Sequence, residues 1–171
     1  MNNLLVEKAK KGDKEALLNL IMKQKDQYYK LAYVYMNDKE DSLDALEDMI
    51  VVLYEKIHTL KSIESFYGWS NSILVNICRK KLKEKKKIIY TNKQLVEKEV
   101  FYQERIEDKL AIEACLKGLS TAQQETVKLK YYMDMDYSTI ASMLNVPLGT
   151  VKSRLSISLE KLKKCLEGKR K

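Results

Sequence analysis

Helix breakers are almost missing from this sequence: one proline, Pro147, and five glycines are all that interrupt 171 residues. Lys, Leu, Glu and Ile are the commonest residues, and the chain has few of the turn residues that strands and hairpins need. That scarcity confines it to an all-α fold. The length leaves room for one ordinary domain or two small ones. With 45% apolar and 33% charged residues, a core can form beneath a heavily charged surface.

The net charge of +8 is compatible with nucleic acid but does not establish it. Its placement says more. Residues 79–87, RKKLKEKKK, carry seven basic side chains and one acid, and residues 145–171 carry eight basic and two acidic. Residues 38–48, DKEDSLDALED, carry six acids and one lysine. Charge of alternating sign along the chain points to different faces meeting different partners.

Cys78, Cys115 and Cys165 are odd in number and far apart, with no CxxC pair and only His58 to join them. Neither a zinc site nor a disulfide framework is expected; reduced thiols are. No metal or other cofactor is called for. His58 has no catalytic partner by spacing, and no glycine-rich phosphate loop appears, so an enzyme is not expected. The first residues lack the apolar block of a signal peptide, and the longest apolar runs, such as MIVVLY, are far too short to span a bilayer. A soluble, cytoplasmic protein without membrane insertion is the expectation.

Apolar spacing predicts helices over 2–10 and 13–36, parted at KGD, where Asp13 can cap. From Asp44 a stripe of Leu46, Met49, Ile50, Leu53, Ile57 and Leu60 follows, with Asp44, Glu47, Asp48 and Glu55 on the opposite side. KSIESFYG, 61–68, reads as a loop, and a further helix runs from about Trp69 into the basic run. The pattern weakens over 88–107, which reads as a linker. Beyond it, Leu110, Ala114, Leu116 and Leu119 mark one helix. Ser120 caps a second over 121–133, with Val127, Leu129 and Tyr131 inward. A third starts at Asp136 or Ser138, with Ile140, Ala141 and Leu144 inward. The expected organisation is two small helical domains, 1–87 and 108–171, joined by the linker 88–107.

Pro147 falls in NVPLGTVKSRL, where two helices are separated by three residues. Asn145 tolerates a left-handed backbone, and Pro147 stops the preceding helix. The next helix is expected to turn Val151, Leu155, Leu159, Leu162 and Leu166 inward and Thr150, Lys152, Ser153 and Arg154 outward. This describes a helix-turn-helix whose second helix carries polar and cationic side chains at its start. Arginine can pair with guanine O6 and N7, while Thr and Ser suit phosphates or base edges. From helix pattern alone, a capped hairpin with solvated cations fits equally well; the residue types favour DNA.

YSTIASMLNVPLGTVKSRLSISLEKLKKCL resembles the C-terminal helix-turn-helix of bacterial RNA polymerase sigma factors of the extracytoplasmic-function type. DALEDMIVVLYEKI is similar to that family's polymerase-gripping helix, and SFYGWSNSILVNICRKKLKEKKK to its promoter-melting helix. The resemblance spans about residues 8–166. It implies that Thr150, Lys152, Ser153 and Arg154 read a minus-thirty-five element. It implies that Phe66, Tyr67, Trp69 and Asn76 hold a flipped minus-ten base, with Arg79, Lys80 and Lys83 on the DNA backbone. Asp44, Glu47 and Asp48 would meet core RNA polymerase. Promoter DNA and an anti-sigma factor are the other implied partners. Ser72 and Asn71 depart from the arginine and aromatic the family often has there. The competing reading is a stand-alone helix-turn-helix regulator binding an operator as a dimer, which would need neither the acidic helix nor the aromatic and basic segment.

Overall fold

The computed structural model describes residues 2–91 and 106–169, and among them every regular element is helical. In chain order these are α1 (Asn2–Lys10), α2 (Lys14–Lys23), α3 (Lys25–Met36), α4 (Lys39–Lys56), α5 (Phe66–Thr91), α6 (Ile106–Lys117), α7 (Thr121–Tyr131), α8 (Tyr137–Leu144) and α9 (Leu148–Lys169). A 3-10 turn, Ile57–Thr59, follows α4. Two compact units result, one carrying α1–α5 and the other α6, α7, α9 and most of α8. No helix among the described residues is long and apolar enough to cross a membrane.

In the first unit α3, α4 and α5 pack on one another, and α1 pairs with α2 and the 3-10 turn. Leu20, Leu31, Met49, Leu53 and Leu74 are fully buried there. Burial of side chains of this size contributes about 1.5–3 kcal/mol each. Gly12 turns the chain at φ 97°, and Asp13 then caps α2 by accepting from the Ala16 amide at 2.9 Å.

The helix expected over 13–36 is two helices, divided at Gln24, whose amide donates to the Ile21 carbonyl at 3.0 Å. The buried positions Leu17, Leu20 and Ile21 run in phase with Tyr28, Leu31 and Ala32 across the break, so periodicity does not reveal it. Helix α4 begins before Asp44: Asp38 caps it, accepting from the Glu40 and Asp41 amides at 3.0 and 3.1 Å. Its buried stripe is Ser42, Ala45, Met49 and Leu53, which leaves Leu46 half-buried and Ile50 39% exposed rather than inward. The small residues Ser42 and Ala45 centre the stripe and carry no apolar signal. Helix α5 takes in Phe66, Tyr67 and Gly68 and runs to Thr91, so residues 88–91 are helical, as are 106–107 in α6. Residues 92–105 of the expected linker lie outside the described residues.

In the second unit α9 packs on α6 and α7. Ser120 and Gln123 form a reciprocal capping box at the start of α7, with N–O distances of 3.3 and 3.1 Å. Val127 and Leu129 are buried as expected, but Tyr131 ends α7 in an exposed position. Ala114 of α6 is exposed, while Cys115, Leu116 and Leu119 are buried. The reduced-thiol expectation fails for two cysteines. Packing of α6 on α9 brings Cys115 and Cys165, 50 residues apart in sequence, to a Cα–Cα distance of 5.8 Å, and they are disulfide-bonded. Cys78 remains a free, buried thiol.

Asn145 ends α8 at φ 54°, and the following Val146 amide donates to the Ala141 carbonyl at 3.0 Å. The left-handed conformation costs an ordinary L-residue roughly 1–2 kcal/mol. Asn145→Ala should therefore lower stability by about 1 kcal/mol in denaturant unfolding, whereas Asn145→Gly should match or exceed the wild type. Equal losses in both variants would mean the turn does not depend on its left-handed residue.

Candidate nucleic-acid interface

Helix α9 is oriented by what it buries. Val151, Leu155 and Ser158 are inaccessible, one helical turn apart, and Ser158 Oγ satisfies itself on the Arg154 carbonyl at 2.5 Å. Leu159, expected inward, is 44% exposed, because the small polar Ser158 occupies the core-facing position instead. With that face fixed, Lys152 and Ser153 are exposed, and Thr150 and Arg154 lie half-buried on the flanks. The Pro147 carbonyl accepts from the Thr150 amide at 2.9 Å and the Val151 amide at 3.3 Å, closing the first turn. All four expected DNA-facing residues thus sit within the first two turns of one helix.

Ahead of α9, Asp136 gathers the start of α8. Its Oδ1 accepts from the Thr139 amide at 2.9 Å, its Oδ2 from Thr139 Oγ1 at 2.6 Å, and Ser138 Oγ also donates to it. These donors, the Ser138 hydroxyl first, hold the carboxyl well below the usual range.

On α5 the expected melting residues divide between core and surface. Phe66 is 1% exposed and belongs to the core, so its side chain cannot be a wall of an open base pocket. It supports Tyr67 and Trp69 from behind, at ring-centroid distances of 5.2 and 6.3 Å, and both of these are half-buried. The start of the helix is pinned by the buried hydroxyl pair Tyr28 and Ser70, 2.7 Å apart. Burial pushes the Tyr28 hydroxyl up to about 12, with the Ser70 hydrogen bond acting in the opposite direction. This pairing gives no sequence signal, since the two residues are 42 positions apart and on different helices. Asn76, Lys80 and Lys83 are exposed, and Arg79 is half-buried with its guanidinium 3.5 Å from Asn76 Oδ1. Their spacings of three, four and seven place them on one face.

Two other cations of the basic run, Lys81 and Lys85, face another way. Lys81 bonds Asp48 at 2.8 Å, and Lys85 bonds Asp41, so α5 is tied by charge to α4. Asp48, with Asp44 and Asp41 also nearby, holds the Lys81 ammonium above its ordinary range against a smaller opposing effect of burial. The acids singled out on α4 therefore separate. Asp48 belongs to the seam with α5, whereas Asp44 and Glu47 lie on the exposed side. Val51 and Tyr54 are exposed beside them, 57% and 47%, and Lys14 Nζ stands 4.9 Å from the Tyr54 ring centroid. Neither residue belongs to the apolar stripe or the acidic side that the sequence pattern marks on this helix.

Residues 109–162 match the family model of sigma-70 region 4. The chain is 26% identical over 176 residues to ECF RNA polymerase sigma factor SigW of Bacillus subtilis (strain 168), covering 94% of each protein. It is 26% identical over 156 residues to RNA polymerase sigma factor SigV of the same organism, covering 90% of this chain and 92% of that one. Its fold is similar to CnrH, solved in complex with the cytosolic domain of CnrY (TM-score 0.70, 18% identity, 98% of this chain and 97% of that one). It is also similar to sigma factor RpoE, solved with the anti-sigma factor NepR from Bartonella quintana (TM-score 0.68, 17% identity, 87% and 95%).

Exposed ion pairs are worth about 0.2–1 kcal/mol and weaken with salt. Asp48→Lys should lower the stability of the first unit by up to about 1 kcal/mol, and adding Lys81→Asp should restore most of it. A double-mutant cycle by denaturant unfolding measures the coupling. No coupling at low salt would mean the seam is held by packing alone.

Proposed function

We propose that the chain acts as an extracytoplasmic-function sigma factor that directs RNA polymerase to promoters, with its surfaces dividing the work. The chain acts in the cytoplasm as a binding subunit, and the chemistry of RNA synthesis stays with the polymerase. Residues 1–87 grip core polymerase and open the minus-ten element, 88–107 link the halves, and 108–171 read the minus-thirty-five element.

The observation that carries this reading is the orientation of α9. Its buried Val151, Leu155 and Ser158 leave Lys152 and Ser153 exposed, with Thr150 and Arg154 flanking them. Arg154 supplies the bidentate fork for guanine, Lys152 a phosphate contact, and Thr150 and Ser153 the shorter polar contacts. On α5, Tyr67, Trp69 and Asn76 take the flipped base, while Arg79, Lys80 and Lys83 follow the single strand. Phe66 contributes as support. Polymerase docking uses Asp44 and Glu47 with the exposed Val51 and Tyr54; an apolar centre with a charged rim suits such an interface. Asp48 acts mainly through Lys81, by holding α4 and α5 together. An anti-sigma partner fits the setting, since both similar solved structures are complexes and the second includes a named anti-sigma factor. The stand-alone operator-binding reading gives the exposed Asp44–Tyr54 face and the Tyr67–Lys83 face nothing to do.

Reconstitution with core polymerase and a promoter library, with start sites sequenced, tests the assignment. Selective initiation beyond core alone is expected; tight operator binding by the free protein without selective initiation would sink it. Arg154→Ala should reduce initiation that depends on the upstream element by roughly five- to 150-fold, corresponding to a lost base contact of about 1–3 kcal/mol, with polymerase affinity unchanged. Glu47→Lys should weaken polymerase binding without moving the unfolding midpoint or the promoter preference. A pair of variants that lose both properties together would overturn the division.

A further inference from the structure

The second unit holds a feature that promoter reading does not require. Cys115 of α6 is buried, and Cys165, half-buried, lies near the far end of α9. Their bond closes a loop that contains all of α7 and α8 and most of α9. It joins the end of α6 to the distal half of α9. Beyond Ser158 no described residue of α9 is fully buried; Leu162 and Leu166 are half-buried, and Leu159 is exposed. Among the described side chains around it, Ile112, Glu113 and Ala114 of α6 are exposed, while Cys115, Leu116 and, just past the helix, Leu119 are buried. The start of α9, held by Val151 and Leu155, does not depend on the bond for its orientation.

We propose that Cys115 and Cys165 form a reversible dithiol–disulfide pair through which thiol redox state sets the stability of the DNA-reading unit, and with it promoter use. The coupling to promoters rests on the function proposed above; the chemistry of the pair does not. Reduction consumes two small-molecule thiols. The first, as thiolate, attacks the Cys165 sulfur, the more accessible side, forming a mixed disulfide while Cys115 leaves with the electron pair and takes a proton. The second thiol displaces Cys165 and departs as the oxidised small-molecule disulfide. Closure is the reverse, with a small-molecule disulfide as oxidant. The third cysteine stays out of the exchange: Cys78 is buried, which pushes its thiol up to about 12 and keeps it protonated.

The stapled and open forms should differ measurably. Closing a loop this long restricts the unfolded chain, and losing such a bond commonly lowers the melting temperature of a small domain by roughly 10 °C or more. Full-length protein would be treated with oxidised glutathione or with a phosphine reductant, unfolded, alkylated and weighed. One alkylated thiol is expected after oxidation and three after reduction. Hydrogen exchange on the intact protein should show α6 and the distal half of α9 losing protection on reduction, with α1–α5 unchanged. The Cys115→Ser/Cys165→Ser double variant should match the reduced wild type and ignore both reagents. Holoenzyme made with core polymerase and a promoter from the library should initiate less when reduced, most clearly just above the reduced protein's midpoint. Three alkylated thiols after oxidised glutathione, unchanged protection on reduction, or a double variant that still responds would overturn the proposal; so would initiation indifferent to redox state. A failure of the function reading has a different signature: neither form directs initiation, while thiol count and protection still respond.

Discussion

A ladder of four buried side chains on α5 sets the geometry of the N-terminal unit. Phe66, Ser70, Leu74 and Cys78 recur every fourth residue and are all inaccessible, packed where α5 meets α3 and α4. A helix with one face fixed has no freedom left to choose what its other faces show. From that single constraint come the half-exposed aromatics at its start, the Asn76–Lys83 face along its length and the Lys81 and Lys85 side chains that reach α4. Ser70 is the polar rung, and it is tolerated because the Tyr28 hydroxyl from α3 meets it inside the core. A leucine there would bury more apolar surface but would orphan that hydroxyl.

The second unit follows the same logic on α9. There too a serine, Ser158, takes a core-facing place in an otherwise apolar series, satisfied by its own helix instead of a neighbour. Serine back-bonding of this kind costs little helix stability and makes room where a larger residue would push α6 or α7 away. Small polar residues at close contacts are thus a recurring device in this chain: Ser42, Ser70 and Ser158 are all fully buried.

Those serines also explain how far the sequence could be read. Element types were legible because breakers are so rare, and the turn at Asn145–Pro147 was legible because each residue there has a distinct backbone preference. The caps at Asp13, Ser120 and Asp136 followed from residue type and position. What stayed hidden was rotation and long-range pairing. Stripes drawn through Ile50 and Leu159 were off because the residues at their true centres, Ala45 and Ser158, do not register as strongly apolar. The break at Gln24 kept helical phase. The Cys115–Cys165 bond depends on α6 meeting α9, which spacing along the chain does not encode. Among site residues, the α9 set was placed on one surface as read, whereas Phe66 fell inward because an aromatic residue looks alike in a core and in a base pocket. Asp48 fell to the α5 seam for a related reason: an acid on a helix surface does not announce its partner.

The cluster at Asp136 has a bearing on how the protein meets acid. Its carboxyl is held below the ordinary range by the Ser138 and Thr139 donors, so the folded state keeps it ionised where an unfolded chain would protonate it. The contribution of this cap to stability is therefore complete above the ordinary carboxylate range. It is withdrawn only as pH falls through the depressed value. Mild acidification would therefore leave the entrance to α8 intact.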